Sequence, residues 1–560
     1  MGCWPRSTAS WNWTAKALDR KSALRAVDIT AIEIGRAMET MRIPGHPRPY
    51  YVSSLIRDEQ SWTIQAKYGS LSSDACDRKR NAYVDVRVGS YRHDQVRDGG
   101  LDDNDKDDES YGYTELPWGS AADGLRHGLW RLIDARYREA VETLLDKKSH
   151  ELTYRDENKH LKSFQRAEPV VDLGWRKLPE VDADHWRKFV ERTSRKIKAY
   201  SDIADSHVEF QADHLCRVFV NSEGSRLIEC STIWSLEAYL WLLSPKGDAF
   251  PWTVRHTVTD PGELPDERAF MRSVVQAIET LGRLSSAPLL NSFSGPALLE
   301  PVPAGLLFHE ALGHRLEGHR LLASGEGQTF KGALGESVLP SYLHLHDDPT
   351  RTSYDGQSLI GHYRYDDEGS AAQDARLIEA GRLSGYLTGR TEVLRRHVGN
   401  GHARSRRHQR PISRMGVLIA ESDEGRSARE LKQILLDEIS RQGVPFGIRI
   451  LEATSGETAT DAYNFQAFMG EVNLAAKVYP DGREEWVRGV NFVGTPLNAV
   501  RGILAAGDRS EVDNAWCGAE SGYVPVSTVS PALVVSELEL QSKPDTPYTP
   551  YTFPIPWRQD

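Results

Sequence analysis

The chain has 560 residues, with 69 Lys plus Arg against 80 Asp plus Glu, a formal charge of −11. That length exceeds one compact core, so two domains or more are expected, and the mild acidity excludes a globally basic nucleic-acid binder. With 39% hydrophobic and 27% charged residues, the chain buries sizeable cores and is not a disordered polymer.

Residues 1–40 read as an N-terminal extension. Its start holds Trp and Arg where a signal peptide needs an apolar run, and Arg6 stands where a myristoylation site needs Ser or Thr. Residues 41–294 read as a mixed α/β domain. Val84, Val86 and Val88 alternate with Tyr83, Asp85 and Arg87, the period of a half-buried strand. The acidic stretch Asp102 to Glu109 only loosely resembles a calcium loop and reads as solvated. Leu129, Leu132, Ile133, Val141, Leu144 and Leu145 mark a long amphipathic helix from Leu125, with Lys147 and Lys148 suited to its negative C-terminal end. Trp186, Phe189, Val190 and Ile197 mark a second helix. Two β-rich runs between Arg217 and Thr232 flank Asn221-Ser222-Glu223-Gly224 as a hairpin. A third helix starts at Pro265, with Phe270, Met271, Val274, Val275 and Ile278 inward.

Residues 295–541 form a glycine- and strand-rich domain, so the fold class is α+β. Within it, Ser427-x-x-Glu430 is a capping box opening a helix that Gly443 ends. Glu471–Tyr479 and Glu484–Val490 form a hairpin across Pro480-Asp481-Gly482-Arg483. Residues 542–560 hold Pro544, Pro547, Pro550, Pro554 and Pro556 among aromatics, a tail that is neither helix nor central strand.

The candidate chemistry lies at the start of the C-terminal domain, in Phe308-His309-Glu310-Ala311-Leu312-Gly313-His314-Arg315-Leu316-Glu317-Gly318. Two imidazoles and a carboxylate are the parts of a hydrolytic metal site, with imidazoles as ligands and carboxylate as base. The usual HExxH spacing puts both histidines on one helical face. Here the spacing is HExxxH, which on a regular helix leaves the side chains roughly 140° apart. A π-bulge would bring them together, and Gly313 would ease that distortion. The plain alternative is an ordinary i,i+4 pair of Glu310 with His314. Two ligands are also too few for a catalytic zinc, and the spacing does not name a third.

Further along, His344-x-His346-Asp347-Asp348 is a weaker metal candidate, its alternate residues sharing a strand face. Between Arg395 and Arg414 stand seven arginines, three histidines and no acid. A nucleic-acid patch would want stacking aromatics, which this stretch lacks apart from histidine. No G-x-S-x-G elbow, Walker loop or complete G-x-G-x-x-G occurs.

The HEALGHRLEG run resembles the HEAxGHxxEG signature of the TldD half of the TldD/PmbA family of metalloproteases. Asp366-Asp367-Glu368-Gly369, Leu377-Ile378-Glu379 and Gly385-Tyr386-Leu387 are similar to the family's DDEG…LIExG…GYL block. Gly399-Asn400-Gly401 with Pro411 and Arg414 is similar to its GNG…PxxR loop. Gly494-Thr495-Pro496-Leu497 and Trp516-Cys517-Gly518 complete an ordered series. The resemblance implies one Zn2+ per chain held by His309, His314 and Cys517, with Glu310 as catalytic base. It makes Gly399, Asn400, Gly401 and Arg414 part of a substrate-binding loop. By its spacing, Glu317, three residues past His314, is either within hydrogen-bond reach of that imidazole or an exposed helix carboxylate. It further implies a protease acting on unfolded or extended peptides inside a dimer, in leader-peptide removal or toxin and antitoxin turnover. The partner is a second copy or a PmbA-like subunit. Two other functions fit the same residues: a metal-dependent enzyme tailoring a small peptide-like metabolite, and a non-catalytic partner subunit. Five cysteines without a CxxC pair suit a reducing compartment. No apolar run approaches the roughly 18 to 20 residues of a membrane helix. A cytoplasmic protein binding neither membrane nor nucleic acid is the expectation.

Overall fold

The computed structural model describes residues 18–556, apart from 102–113, 119–120, 154–157, 245, 324, 408, 459, 461–467, 495, 544–546, 550, 552 and 554–555. The acidic stretch Asp102 to Glu109, the start of the chain, Thr495 and three prolines of the tail therefore lie outside the described residues. No helix among the described residues is long and apolar enough to cross a membrane.

The N-terminal half is a sheet covered by helices. Its principal strands are β1 (Pro49–Lys67), β2 (Ser70–Val88), β3 (Ile203–Asn221), β4 (Arg226–Leu243) and β5 (Ala249–Val258), in the order β2-β1-β3-β4-β5. Every pair among them is antiparallel. Residues 221–224 make the expected turn between β3 and β4, with Gly224 at φ 110°. Helix α1 (Arg20–Thr40) packs Ala23, Ala26, Val27 and Ile34 into the same core as α2 (Ala122–Thr153). Residues 20–40 thus belong to the body of this half.

Helix α2 runs beyond Lys148, so that Lys147 sits inside it. Its ammonium donates to the carbonyls of Asp94 and Val96 at 2.9 and 2.7 Å. Leu145, expected inward, is 49% exposed, because the buried stripe passes through Leu144 and Lys147 on either side of it. Helix α3 (Ala183–Ile197) buries Trp186, Phe189, Val190 and Ile197 as the pattern requires. Helix α4 (Glu267–Ser285) begins after Pro265, with Asp266 as its cap accepting from Ala269 N. Phe270, Val274 and Ile278 are buried, while Met271 and Val275 sit at the edge of the stripe.

Residues 83–88 depart from expectation. Tyr83, Asp85 and Arg87 are as buried as the valines between them. One face packs on the helices. The other meets the C-terminal half, where Arg410 reaches Asp85 at 3.1 Å and Arg87 reaches Asp85 and Asp94 at 2.7 and 3.0 Å. Polar residues alternate here because that face is a buried, charge-paired contact.

The C-terminal half is organised by strands β6 (Phe293–Leu299), β7 (Leu343–Asp347), β8 (Val417–Ser422), β9 (Gly447–Thr458), β10 (Phe468–Val478), β11 (Ile503–Ala519) and β12 (Gly522–Ser542). The long β12 pairs with β6, β8, β11 and the short strand Val490–Gly494. β9 pairs with β6 and β10, and β10 returns to Val490–Gly494, closing a ring around one large core. The hairpin across Pro480–Arg483 is present. So is helix α5 (Ala428–Gln442), with both hydrogen bonds of its capping box and Gly443 in the left-handed region. In the tail, Tyr548 N donates to Gly247 O and its ring packs 5.6 Å from that of Trp241. Gly247 permits this, since a Cβ there would stand 2.2 Å from Tyr548 O.

The two halves are joined by buried ion pairs. Arg57 and Arg217 of the sheet hold Asp367 at 2.8 and 2.6 Å, and Ser405 N donates to the same carboxylate at 2.7 Å. Burial opposes ionisation of Asp367, but Arg57 and Arg217 outweigh it and hold its pKa below the usual range. Because the folded pKa is depressed, this stabilisation is present above about pH 4 and is lost as pH falls through the lower folded value. Replacing Asp367 by Ala removes the carboxylate that pairs buried Arg57 and leaves Arg217 with Glu229 alone. It is expected to cost roughly 3 to 5 kcal/mol, measured as an earlier first transition in urea or thermal unfolding.

Candidate metal centre

The chain enters the site through a short helix, Pro301–Phe308, whose first-turn prolines suit a position where N–H groups lack partners. Residues His309–Gly313 then form a single π turn, and His314 N donates to His309 O five residues back. The five-residue spacing is accommodated by this added residue. The two imidazole centroids lie 5.0 Å apart. Gly313 has ordinary helical angles, φ −51° and ψ −59°. It is needed for packing rather than for backbone distortion, since a Cβ would stand 2.1 Å from Met415 Sδ.

Cys517 arrives 203 residues after His314, near the end of β11 and paired with Val524 of β12. Its Sγ is 3.3 Å from His309 Nε2 and 3.4 Å from His314 Nε2. All three residues are buried, and their ligand atoms lie within 4.8 Å of one another. Tetrahedral zinc, with Zn–S about 2.3 Å and Zn–N about 2.0 to 2.1 Å, would set S···N separations near 3.5 Å. The donors therefore fit zinc with little movement. Burial opposes ionisation of Cys517, but His314 and His309 outweigh it and hold its thiol well below the usual range. Burial likewise opposes the charge on His314, yet Cys517 and Glu317 hold its pKa well above normal.

Glu317, fully buried, places Oε1 3.2 Å from His314 Nδ1, behind the metal-facing nitrogen. Arg320 bonds its other oxygen and is itself held by Glu520 and Glu326. Glu310 points its carboxylate at β9, where Thr458 Oγ1 lies 2.5 Å from Oε2. A cavity of about 750 Å³ opens in front, lined by Glu310, the two histidines, Cys517, the end of β9 and the β11–β12 turn.

The loop expected to bind substrate is placed differently. Asn400 accepts from Thr388 N and donates to Tyr386 O, both at 2.8 Å, so its amide is spent on the chain itself. A Cβ on Gly399 would lie 2.1 Å from Gly389 O, and one on Gly401 2.3 Å from Ala371 O. Arg414 is fully buried and donates to Cys517 O at 2.7 Å and to Cys517 Sγ at 3.2 Å. None of the four lines the cavity. They brace the site instead, and Arg414 holds the cysteine. The neighbouring arginines are similarly committed: Arg404 to the carbonyls of Met415 and Pro525, and Arg410 to Asp85.

The His344–Asp348 run is not a metal site. His344 pairs with Asp423, His346 with Asp374, and Asp347 accepts from Gly416 N and Val417 N. Thr458, Arg320 and Glu520 were not legible as site residues. Nothing in their local sequence spacing links them to the histidines, and Thr458 meets Glu310 across 148 positions.

Residues 293–542 match the family model of the PmbA/TldA metallopeptidase C-terminal domain. The chain is 29% identical over 272 residues to an Archaeoglobus fulgidus protein named Metalloprotease, covering 48% of this chain and 57% of that one. It is 29% identical over 262 residues to the Haemophilus influenzae Metalloprotease TldD homolog, covering 44% and 49%. It is 23% identical over 355 residues to the Saccharolobus solfataricus Zinc metalloprotease TldD homolog, covering 61% and 71%. The matches thus span about half the length of the first two relatives. The fold is that of TldE from Thermococcus kodakarensis, with a TM-score of 0.58 at 13% identity over 88% of this chain and 97% of that one. Residues 293–542 thus carry the C-terminal domain of the TldD/PmbA family, and the chain as a whole has the fold of its members.

Two substitutions test the ligand set. Cys517→Ala is expected to abolish tight binding of added zinc. Glu317→Gln, which touches no ligand-donating nitrogen, should weaken it by about 10- to 100-fold. Competition with a chromophoric chelator measures both, and wild-type affinity in Cys517→Ala would exclude the cysteine as a ligand.

Proposed function

We propose that this chain is a zinc-dependent peptidase that hydrolyses peptide bonds in extended or unfolded peptides, with Glu310 as general base. The observation that carries this reading is the convergence of His309, His314 and Cys517 beside the Glu310 carboxylate at a cavity of about 750 Å³. Three ligands leave the fourth position of a catalytic zinc open. When bound there, zinc supplies a Lewis acid that polarises a carbonyl and lowers the pKa of a coordinated water from 15.7 toward about 7.

The remaining work falls to protein groups. The Glu310 carboxylate accepts a proton from the attacking water and returns it to the leaving nitrogen. Glu317 holds the His314 ring through Nδ1, and Arg414 holds Cys517 through its carbonyl and sulfur. The cavity wall includes successive residues Thr454–Thr458 of β9. An extended substrate adding along such a strand gains main-chain hydrogen bonds with little demand on its side chains. The working assembly is a dimer, formed with a second copy or with a PmbA-like subunit.

Metal analysis combined with cleavage of unstructured peptides tests the proposal. Wild type is expected to hold about one zinc per chain, as three protein ligands with an open position require. Glu310→Gln should retain that zinc and lose hydrolysis by at least about 100-fold. Full hydrolysis by Glu310→Gln would exclude it as the base.

A further inference from the structure

The end of β9 is shaped around one carboxylate. Thr458 Oγ1 stands 2.5 Å from Glu310 Oε2 and 3.1 Å from Glu310 O. A hydroxyl has one proton to donate. The Glu310 carbonyl already accepts from Arg315 Nη1 at 2.8 Å. The shorter contact, to a charged acceptor, is the stronger one, so the proton belongs on the carboxylate. Two residues earlier, a Cβ built on Gly456 would stand 2.7 Å from Glu310 Cγ, 2.7 Å from Oε1 and 2.9 Å from the carboxyl carbon. Gly456 has no positive φ to require glycine. What requires it is the carboxylate itself.

From this we infer that Thr458 is a positioning residue for Glu310, and that Gly456 leaves the space its carboxylate occupies. The inference rests on the peptidase reading for its kinetic consequence but not for its geometry. Glu310 sits in the π turn, beside His309 of the His309–His314–Cys517 group that would hold a metal. The turn holds its backbone, and its buried side chain retains only the freedom its neighbours leave it. Thr458 removes that freedom by fixing one oxygen, which leaves the other for the reacting water. Oε1 also faces Gly456, where no side chain crowds it. The strand that lines the cavity thus also aims the base.

The test compares Thr458→Val, Thr458→Ser and Gly456→Ala with wild type, all zinc-loaded. Thr458→Val keeps the shape of the residue and removes the donor. Its kcat should fall about 10- to 100-fold, the loss of one hydrogen bond to a charged group, with KM and zinc content unchanged. Thr458→Ser restores the hydroxyl and should return to within about threefold of wild type. Gly456→Ala should lose activity with zinc retained. A crystal structure of zinc-loaded Thr458→Val should show the Glu310 carboxylate rotated from its wild-type position. Wild-type kcat in Thr458→Val overturns the inference. So does an unmoved carboxylate in that crystal structure, which decides the matter even where wild type itself cleaves no peptide. An inactive wild type would count against the peptidase reading alone.

Discussion

The C-terminal half depends on one constraint: two histidines five residues apart must face the same point. A regular helix cannot do this, because five steps carry the side chains to different faces. The π turn at His309–Gly313 supplies the missing rotation. It also leaves no room for ordinary packing behind it, so Gly313 lies flush against Met415. Met415 in turn precedes β8, whose neighbour β12 carries the turn that delivers Cys517. The local irregularity and the closed ring of strands are therefore one arrangement.

Around that centre, charge is arranged in layers that run outward. Cys517 meets two imidazoles, His314 meets Glu317, and Glu317 meets Arg320 and Arg414. Arg414 closes the circuit by returning to Cys517. Each of these groups meets one of opposite sign, which is the condition for keeping charges out of water. The same rule governs the contact between the two halves, where Arg57 and Arg217 share Asp367. The site and the contact between halves thus keep their buried charges by the same kind of pairing.

Much of this was legible in the chain. Capping at Ser427, the turn at Asn221–Gly224 and the hairpin at Pro480–Arg483 are local chemistry, and each formed where short-range rules place it. The HExxxH run and the demand for a π turn could be read from spacing. Strand faces were less legible. Asp85 and Arg87 read as solvent-facing because polarity normally marks exposure, yet Arg410, far along the chain, covers them. Leu145 is exposed at the margin of its helix stripe, because helical periodicity bounds a stripe without fixing its edge.

The expectation of a substrate loop at Gly399–Gly401 and Arg414 meets a related limit. Residue types suited to binding a peptide are also suited to bracing a backbone, and only the fold shows which groups are already satisfied. From the sequence alone came the two histidines, the carboxylate beside the first and the irregular turn between them, because these lie within six successive residues where geometry is nearly local. Tertiary structure decided that Arg414 serves Cys517, that Glu317 lies behind His314, and that Thr458 and Gly456 frame Glu310. Those contacts join segments whose separation along the chain carries no spacing signal, and they exist only once the ring of strands has closed.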